Sequence, residues 1–218
     1  MSLAYELTRT VDHVRSALPP PTFKAIAQSI SDLQETQIAQ RAVGVGARVS
    51  LPSLADAHGQ TRDLQALLAR GPVVLAFYRG GWCPYCNVSL RALQAVLGDI
   101  RATGAELVAV TPETPDYIEA TTDAAGASFP IVHDPANGFA RSLGLVFELP
   151  EDLRPLMAEI GVELPVRNGE ATFSLPIPAT YVIDRDGTVA YAFVDADFTR
   201  RAEPSDILAA VRRLRVDA

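Results

Sequence analysis

The sequence predicts an α/β fold in which a central β-sheet is flanked by helices and preceded by an N-terminal helical extension. Three observations carry that expectation. From Ala47 onward, short apolar runs alternate with stretches of helical periodicity, the signature of βαβ units around a sheet. The first forty or so residues show helical spacing alone. The chain of 218 residues, 48% hydrophobic and 21% charged, has ordinary globular usage and is long enough for one sizeable core. We therefore divide it into a helical extension over residues 1–46 and one α/β domain over residues 47–218.

In the extension, Val11, Val14 and Leu18 form one stripe and Phe23, Ile26, Ile30 and Leu33 another, separated by Pro19-Pro20-Pro21. Each stripe lies on one helix face and needs cover from the main domain or a partner subunit. Arg41 to Gly46 reads as the joint. Strands are expected at Val73 to Tyr78, Leu107 to Thr111, Thr180 to Asp184 and Val189 to Val194. The last two flank Asp184-Arg185-Asp186-Gly187, an ending suited to a tight hairpin. Helices are expected at Cys83 to Ala102, with a stripe of Leu90, Leu93, Leu97 and Ile100, and around Tyr117 to Ala125 and Asn137 to Leu143. A closing helix fits Pro204 to Leu214, with proline in its first turn and Ile207, Val211 and Leu214 on one side. Gly144 to Pro176 reads as an insertion with a short helix near Asp152 to Ile160.

The charge balance narrows the partners. With 19 Lys plus Arg against 26 Asp plus Glu, the formal charge is −7, which repels phosphate backbones and anionic lipid heads. Nucleic acid and membrane are not expected as partners. The strongest apolar run, Val73 to Tyr78, falls far short of the roughly 20 residues that cross a bilayer. Glu6, Arg9, Asp12 and Arg15 interrupt the region where a secretory signal needs apolar residues, so a cytoplasmic location is expected.

The two cysteines stand in Cys83-Pro84-Tyr85-Cys86, directly after an apolar strand and the turn Arg79-Gly80-Gly81-Trp82. Pro84 suits a first helical turn, where its missing N–H has no intrahelical partner. The helix N-terminus favours negative charge, so Cys83 should ionise below the free thiol value of about 8.5 and act as nucleophile. Cys86, nearly one turn on, leans toward Cys83 and can close a disulfide with it as the resolving thiol. Other uses of the pair fit less well. A closed zinc site takes four ligands, and the three histidines, His13, His58 and His133, are scattered. A c-type haem needs His after the second Cys, and Asn87 stands there. Inert packing does not explain two cysteines at this spacing on a strand-to-helix turn.

The stretch Phe77-Tyr78-Arg79-Gly80-Gly81-Trp82-Cys83-Pro84-Tyr85-Cys86-Asn87 resembles the peroxiredoxin-like branch of the alkyl hydroperoxide reductase/thiol-specific antioxidant (AhpC/TSA) family. The likeness continues through Phe129-Pro130-Ile131-Val132-His133-Asp134-Pro135, Pro178-Ala179-Thr180-Tyr181-Val182-Ile183-Asp184 and Asp197-Phe198-Thr199-Arg200-Arg201. It implies a thioredoxin-like fold and a thiol-dependent antioxidant enzyme. Such an enzyme reduces hydroperoxides through Cys83, with Cys86 resolving and a thioredoxin-like dithiol as reductant. The resemblance is also compatible with a homodimer. No cofactor or metal enters such a cycle.

Two positions depart from the peroxidase pattern. Gly80 stands where that pattern has Thr or Ser, and Pro178 where it has an Arg directed at the thiolate. Arg79, Arg200 and Arg201 are the candidates to supply a cation in its place, although each reads more simply as a solvated surface residue. Pro178 resembles instead the proline that faces the dithiol in thioredoxin-like oxidoreductases, after a cis peptide bond. Cys-Pro-Tyr-Cys matches the glutaredoxin dithiol, and Trp82 matches the residue preceding it in thioredoxin. These details keep open a second function, exchange with protein or small-molecule disulfides. A third is a non-enzymatic redox switch in which the disulfide controls partner binding. Trp82, Tyr85 and Phe198 are candidates to line an apolar groove beside the thiols.

Overall fold

The computed structural model describes residues 2–216. Three helices open the chain: α1 (Leu3–Ala17), α2 (Pro20–Glu35) and the short α3 (Ile38–Arg41). The proline run interrupts the helices as expected, with Leu18 and Pro19 extended between α1 and α2. A hairpin of β1 (Ser53–Asp56) and β2 (Thr61–Asp63) follows, then α4 (Leu64–Leu68) and the strand β3 (Val73–Phe77). From there the chain alternates through α5 (Pro84–Ala102), β4 (Glu106–Thr111), α6 (Pro115–Ala125), β5 (Ile131–His133) and α7 (Gly138–Ser142). The insertion forms β6 (Val146–Glu148), α8 (Leu153–Glu159), α9 (Leu164–Asn168) and β7 (Ser174–Pro176). The chain closes with β8 (Ala179–Ile183), β9 (Val189–Val194) and α10 (Pro204–Val216).

Seven strands form one mixed sheet in the order β2-β1-β5-β4-β3-β8-β9. β3 runs parallel to β4 and β4 to β5, while β8, β9, β1 and β2 are added antiparallel. The Asp184–Gly187 turn joins β8 to β9 as the sequence indicates, with the Gly187 N–H donating to the Asp184 carbonyl at 2.9 Å. The central strands are unbroken apolar runs because both faces are covered. Alternation splits them between two cores. Val74, Ala76, Leu107 and Ala109 face α5 and α10, where Leu90, Leu93, Leu97, Ile207 and Val211 are buried. Val73, Leu75, Phe77, Val108 and Val110 face Leu64, Leu68 and Phe139.

The N-terminal helices pack on this domain. Leu3 and Leu7 of α1 enter the same core as α5, and the Glu203 carboxylate accepts the backbone N–H groups of Leu3 and Ala4 at 3.1 and 2.7 Å. That contact satisfies donors that a helix N-terminus leaves free. The insertion adds a separate two-stranded sheet of β6 and β7 over a small apolar cluster of Leu149, Leu153, Val162, Leu164 and Leu175, against which Trp82 and Ala25 pack. Helix α2 and the insertion thus meet beside the cysteine turn.

Candidate active site

The site lies beyond the carboxyl ends of β3 and β4, the end of an open sheet where α/β proteins present their chemistry. Pairing extends one residue past β3, with the Tyr78 N–H donating to the Val110 carbonyl at 3.0 Å, and the chain then turns sharply. Cys83 is the N-cap of α5 and Pro84 its first residue, so the missing proline N–H leaves no donor unsatisfied. The Cys83 carbonyl accepts the N–H groups of Cys86 and Asn87 at 3.0 and 3.2 Å. One helical turn therefore brings the two sulfurs together, and both are free thiols fully shielded from solvent.

Each sulfur has its own guanidinium. Arg79 Nη2 donates to Cys83 Sγ at 3.1 Å, and Arg201 Nη2 donates to Cys86 Sγ at 3.1 Å. Burial opposes ionisation of Cys83, but a hydrogen bond from Cys86 and the charges of Arg79 and Arg201 outweigh it and hold its pKa well below the usual thiol range. Burial, together with the hydrogen bond to Cys83 and the charge on that sulfur, pushes Cys86 well above it. The opposite shifts favour a Cys83 thiolate that accepts a hydrogen bond from a Cys86 thiol.

Arg79 is 6% exposed, which corrects the reading of it as a solvated residue. It is sandwiched between aromatic faces, its guanidinium carbon 3.8 Å from the Phe198 ring centroid and 4.9 Å from that of Trp82. Arg201 is half-buried, and its Nη1 donates to the carbonyls of Phe198 and Arg200 at 2.7 Å each. Arg200 is the solvated one of the three, paired with Asp195 at 2.9 Å with its side chain 64% exposed. Pro178 is buried just before β8, one step beyond the paired residues Phe77 and Ala179, and so beside the start of the cysteine loop. The peptide bond before it is trans, since the described residues contain no cis bond. This corrects the cis geometry that the oxidoreductase likeness implied, and Pro178 instead fits the start of a strand, where no ladder donor is needed.

Two further residues hold the loop, and neither was singled out from sequence. Glu113, fully buried just after β4, accepts the Gly81 N–H with Oε2 at 2.6 Å and the Arg167 Nε–H with Oε1 at 2.8 Å. Burial raises its carboxyl pKa against the opposing pull of the Gly81 N–H and the Arg167 charge. Arg167 belongs to α9 of the insertion and stacks over Tyr117, 4.1 Å from the ring centroid. The signal that could have found Glu113 is a lone acidic residue directly after a buried strand, a position where a charge needs a specific partner.

The family model for AhpC/TSA proteins matches residues 45–192. The chain belongs to the AhpC/TSA family. Thiol-disulfide oxidoreductase ResA of Halalkalibacterium halodurans is 33% identical over 82 residues, which are 37% of this chain and 46% of that relative, so the chain spans less than half of ResA's length. A Mycobacterium tuberculosis protein described as a peroxiredoxin is 25% identical over 140 residues, 64% of this chain and 78% of its own. The crystal structure of peroxidoxin BcpB from Mycobacterium tuberculosis superposes with a TM-score of 0.61 at 20% identity, covering 78% of this chain and 97% of that one. That likeness establishes the thioredoxin-like fold of this AhpC/TSA protein. The family segment starts after α1, α2 and α3, so these helices lie outside it. Among the described residues, no helix of this family member is long and apolar enough to cross a membrane.

Proposed function

We propose that the protein is a thiol-dependent peroxidase with Cys83 as the attacking thiolate and Cys86 as the resolving thiol. The observation that carries this reading is the contact of 3.1 Å between Arg79 and Cys83 in a buried site, which supplies the cation that the family pattern places elsewhere. In the first step the Cys83 thiolate attacks one oxygen of a hydroperoxide. An S–O bond forms as the O–O bond breaks, the sulfur is oxidised to a sulfenic acid, and the leaving alkoxide or hydroxide takes up a proton. Cys86 then displaces water from the sulfenic acid to close a disulfide. A thioredoxin-like dithiol reduces that disulfide by exchange, becoming oxidised itself. A charged donor beside the breaking bond stabilises the developing anion. The cycle needs both cysteines reduced between turnovers, which fits a cytoplasmic location.

Disulfide exchange is the second reading, favoured by the adjacent pair of thiols and by the identity with ResA. In that cycle Cys83 attacks a substrate disulfide and Cys86 resolves the mixed disulfide. Single-turnover oxidation of Cys83 by hydrogen peroxide and by an alkyl hydroperoxide, with Cys83→Ser as control and insulin reduction in parallel, separates the two. Rapid thiol loss to peroxide that disappears in Cys83→Ser supports the peroxidase. Slow peroxide reaction with brisk insulin reduction replaces it with the exchange enzyme.

A further inference from the structure

Beside the thiols an apolar groove of about 130 Å³ opens between α1, α2 and α8. Val14, Ile26 and Ile30 form one wall and Leu153 and Met157 the other, while Arg79, Trp82, Tyr85 and Phe198 close its inner end. Two of the closing residues carry buried N–H groups with no hydrogen-bond acceptor, Arg79 Nε and Trp82 Nε1. A buried donor without a partner is costly, and two of them on residues that close an apolar groove, one on the arginine bonded to Cys83, call for a ligand with oxygen acceptors and an apolar tail.

The position of the indole sharpens this. A Cβ built on Gly80 falls against Trp82 Nε1 and Cδ1. Residue 80 is where the peroxidase pattern carries Thr or Ser, and the indole N–H stands where that residue's side chain would begin. Arg79 in turn holds Cys83 in place of the cation missing at Pro178.

We propose that Trp82 Nε1–H and the Arg79 guanidinium form the oxygen-binding subsite of a hydroperoxide, and that the groove between α1, α2 and α8 takes its alkyl tail. This rests on the peroxidase reading above. The thiolate attacks the outer oxygen, the S–O bond forms as the O–O bond breaks, and the alkoxide leaves along the groove beside Arg79 before taking up a proton. The guanidinium gives way from Cys83 Sγ to admit the oxygen, a side-chain movement. The groove volume matches about four water-sized groups, the scale of a short alkyl chain. Each methylene buried in it strengthens binding roughly fourfold.

The test compares hexyl hydroperoxide with hydrogen peroxide as oxidants of Cys83 in single turnover, at equal concentrations below saturation. Wild type is expected to react at least tenfold faster with hexyl hydroperoxide, Met157→Glu to bring that ratio toward one, and Trp82→Phe to slow both oxidants tenfold or more. A measurement on the unaltered reduced protein stands beside the variants. Trp82 is the one tryptophan of the chain, so its indole N–H gives a single NMR resonance, which 1-hexanol should shift saturably. Equal rates with the two oxidants, or an indole resonance that 1-hexanol leaves in place, overturn the subsite while the peroxidase stands. If neither oxidant consumes Cys83 in wild type, the peroxidase reading itself falls and the subsite with it.

Discussion

The Glu113 carboxylate accepts the Gly81 N–H at 2.6 Å, so a residue two positions past the end of β4 holds the loop that ends in Cys83. The same carboxylate is paired with Arg167 of the insertion, which couples the cysteine loop to α9. Removing it leaves a buried N–H and a mostly buried guanidinium without their acceptor. Glu113→Ala is expected to cost about 3 kcal/mol of stability in urea unfolding of the reduced protein. Glu113→Gln keeps one acceptor but turns an amide N–H₂ toward one of the two donors, so a loss of about 1–2 kcal/mol is expected. Equal stability of Glu113→Ala and wild type would show that the loop does not depend on this pair.

The opposite shifts of the two thiols give stability a pH signature. Cys83 ionises at lower pH when folded than when unfolded. Up to the unfolded thiol value of about 8.5 the unfolded chain therefore binds more protons, and stability rises with pH. Cys86 ionises at higher pH when folded. Above about 8.5 the unfolded chain loses a proton that the folded one keeps, so stability falls. The rise should vanish from the wild-type profile in Cys83→Ser. Cys86→Ser, with Cys83 left intact, should make the alkaline fall shallower, the remainder coming from buried tyrosines such as Tyr78 and Tyr85, whose pKa values burial also raises. Urea unfolding at pH 6.5, 8.5 and 10 reads both slopes, and parallel profiles for wild type and Cys83→Ser contradict the assignment of the thiolate.

The parts of the fold that were legible in the sequence are those whose signal is local. The run Val73 to Phe77 and the stripe Leu90, Leu93, Leu97 and Ile100 each contain their own periodicity, and the structure keeps them within a residue or two of the expected bounds. The strands β1, β2, β5, β6 and β7 escaped because three or four residues carry no periodicity of their own. Their existence depends on antiparallel partners, as in the pairing of Phe147 with Leu175. The site divides in the same way. The Cys83 and Cys86 spacing is visible in any reading of the chain, whereas Arg79 reads as a solvated cation until Phe198 is placed over it. Glu113 and Arg167 lie 54 residues apart, and neither makes sense without the other.

Arg79→Gln should raise the pKa of Cys83 by removing both a hydrogen bond and a buried positive charge from the thiolate. Alkylation of Cys83 by iodoacetamide, followed across pH, is expected to move its midpoint upward and to slow at least tenfold at pH 6. Arg201→Gln touches Cys86 directly and should move the Cys83 midpoint less, because Arg201 acts on that sulfur through charge alone. An unchanged midpoint in Arg79→Gln would assign the thiolate's stability to the helix N-terminus instead.

Gly80→Thr restores the hydroxyl of the peroxidase pattern on paper and is expected to damage the enzyme. Gly80 has φ of 154°, a conformation close to glycine-only, and a side chain there costs about 1–3 kcal/mol in backbone strain. The added Cβ also collides with the Trp82 indole and with the Glu113 carboxyl carbon, 2.8 Å away. Both neighbours must shift, which withdraws the indole N–H and disturbs the carboxylate that holds Gly81. Cys83 oxidation by hydroperoxide should therefore slow at least tenfold, with a stability loss of about 2 kcal/mol or more in urea. The double variant Gly80→Thr/Trp82→Ala frees the space that the indole fills and should recover part of the stability. A faster reaction in Gly80→Thr alone would mean that the hydroxyl reaches the peroxide with the indole still in place, and that Trp82 is not its substitute.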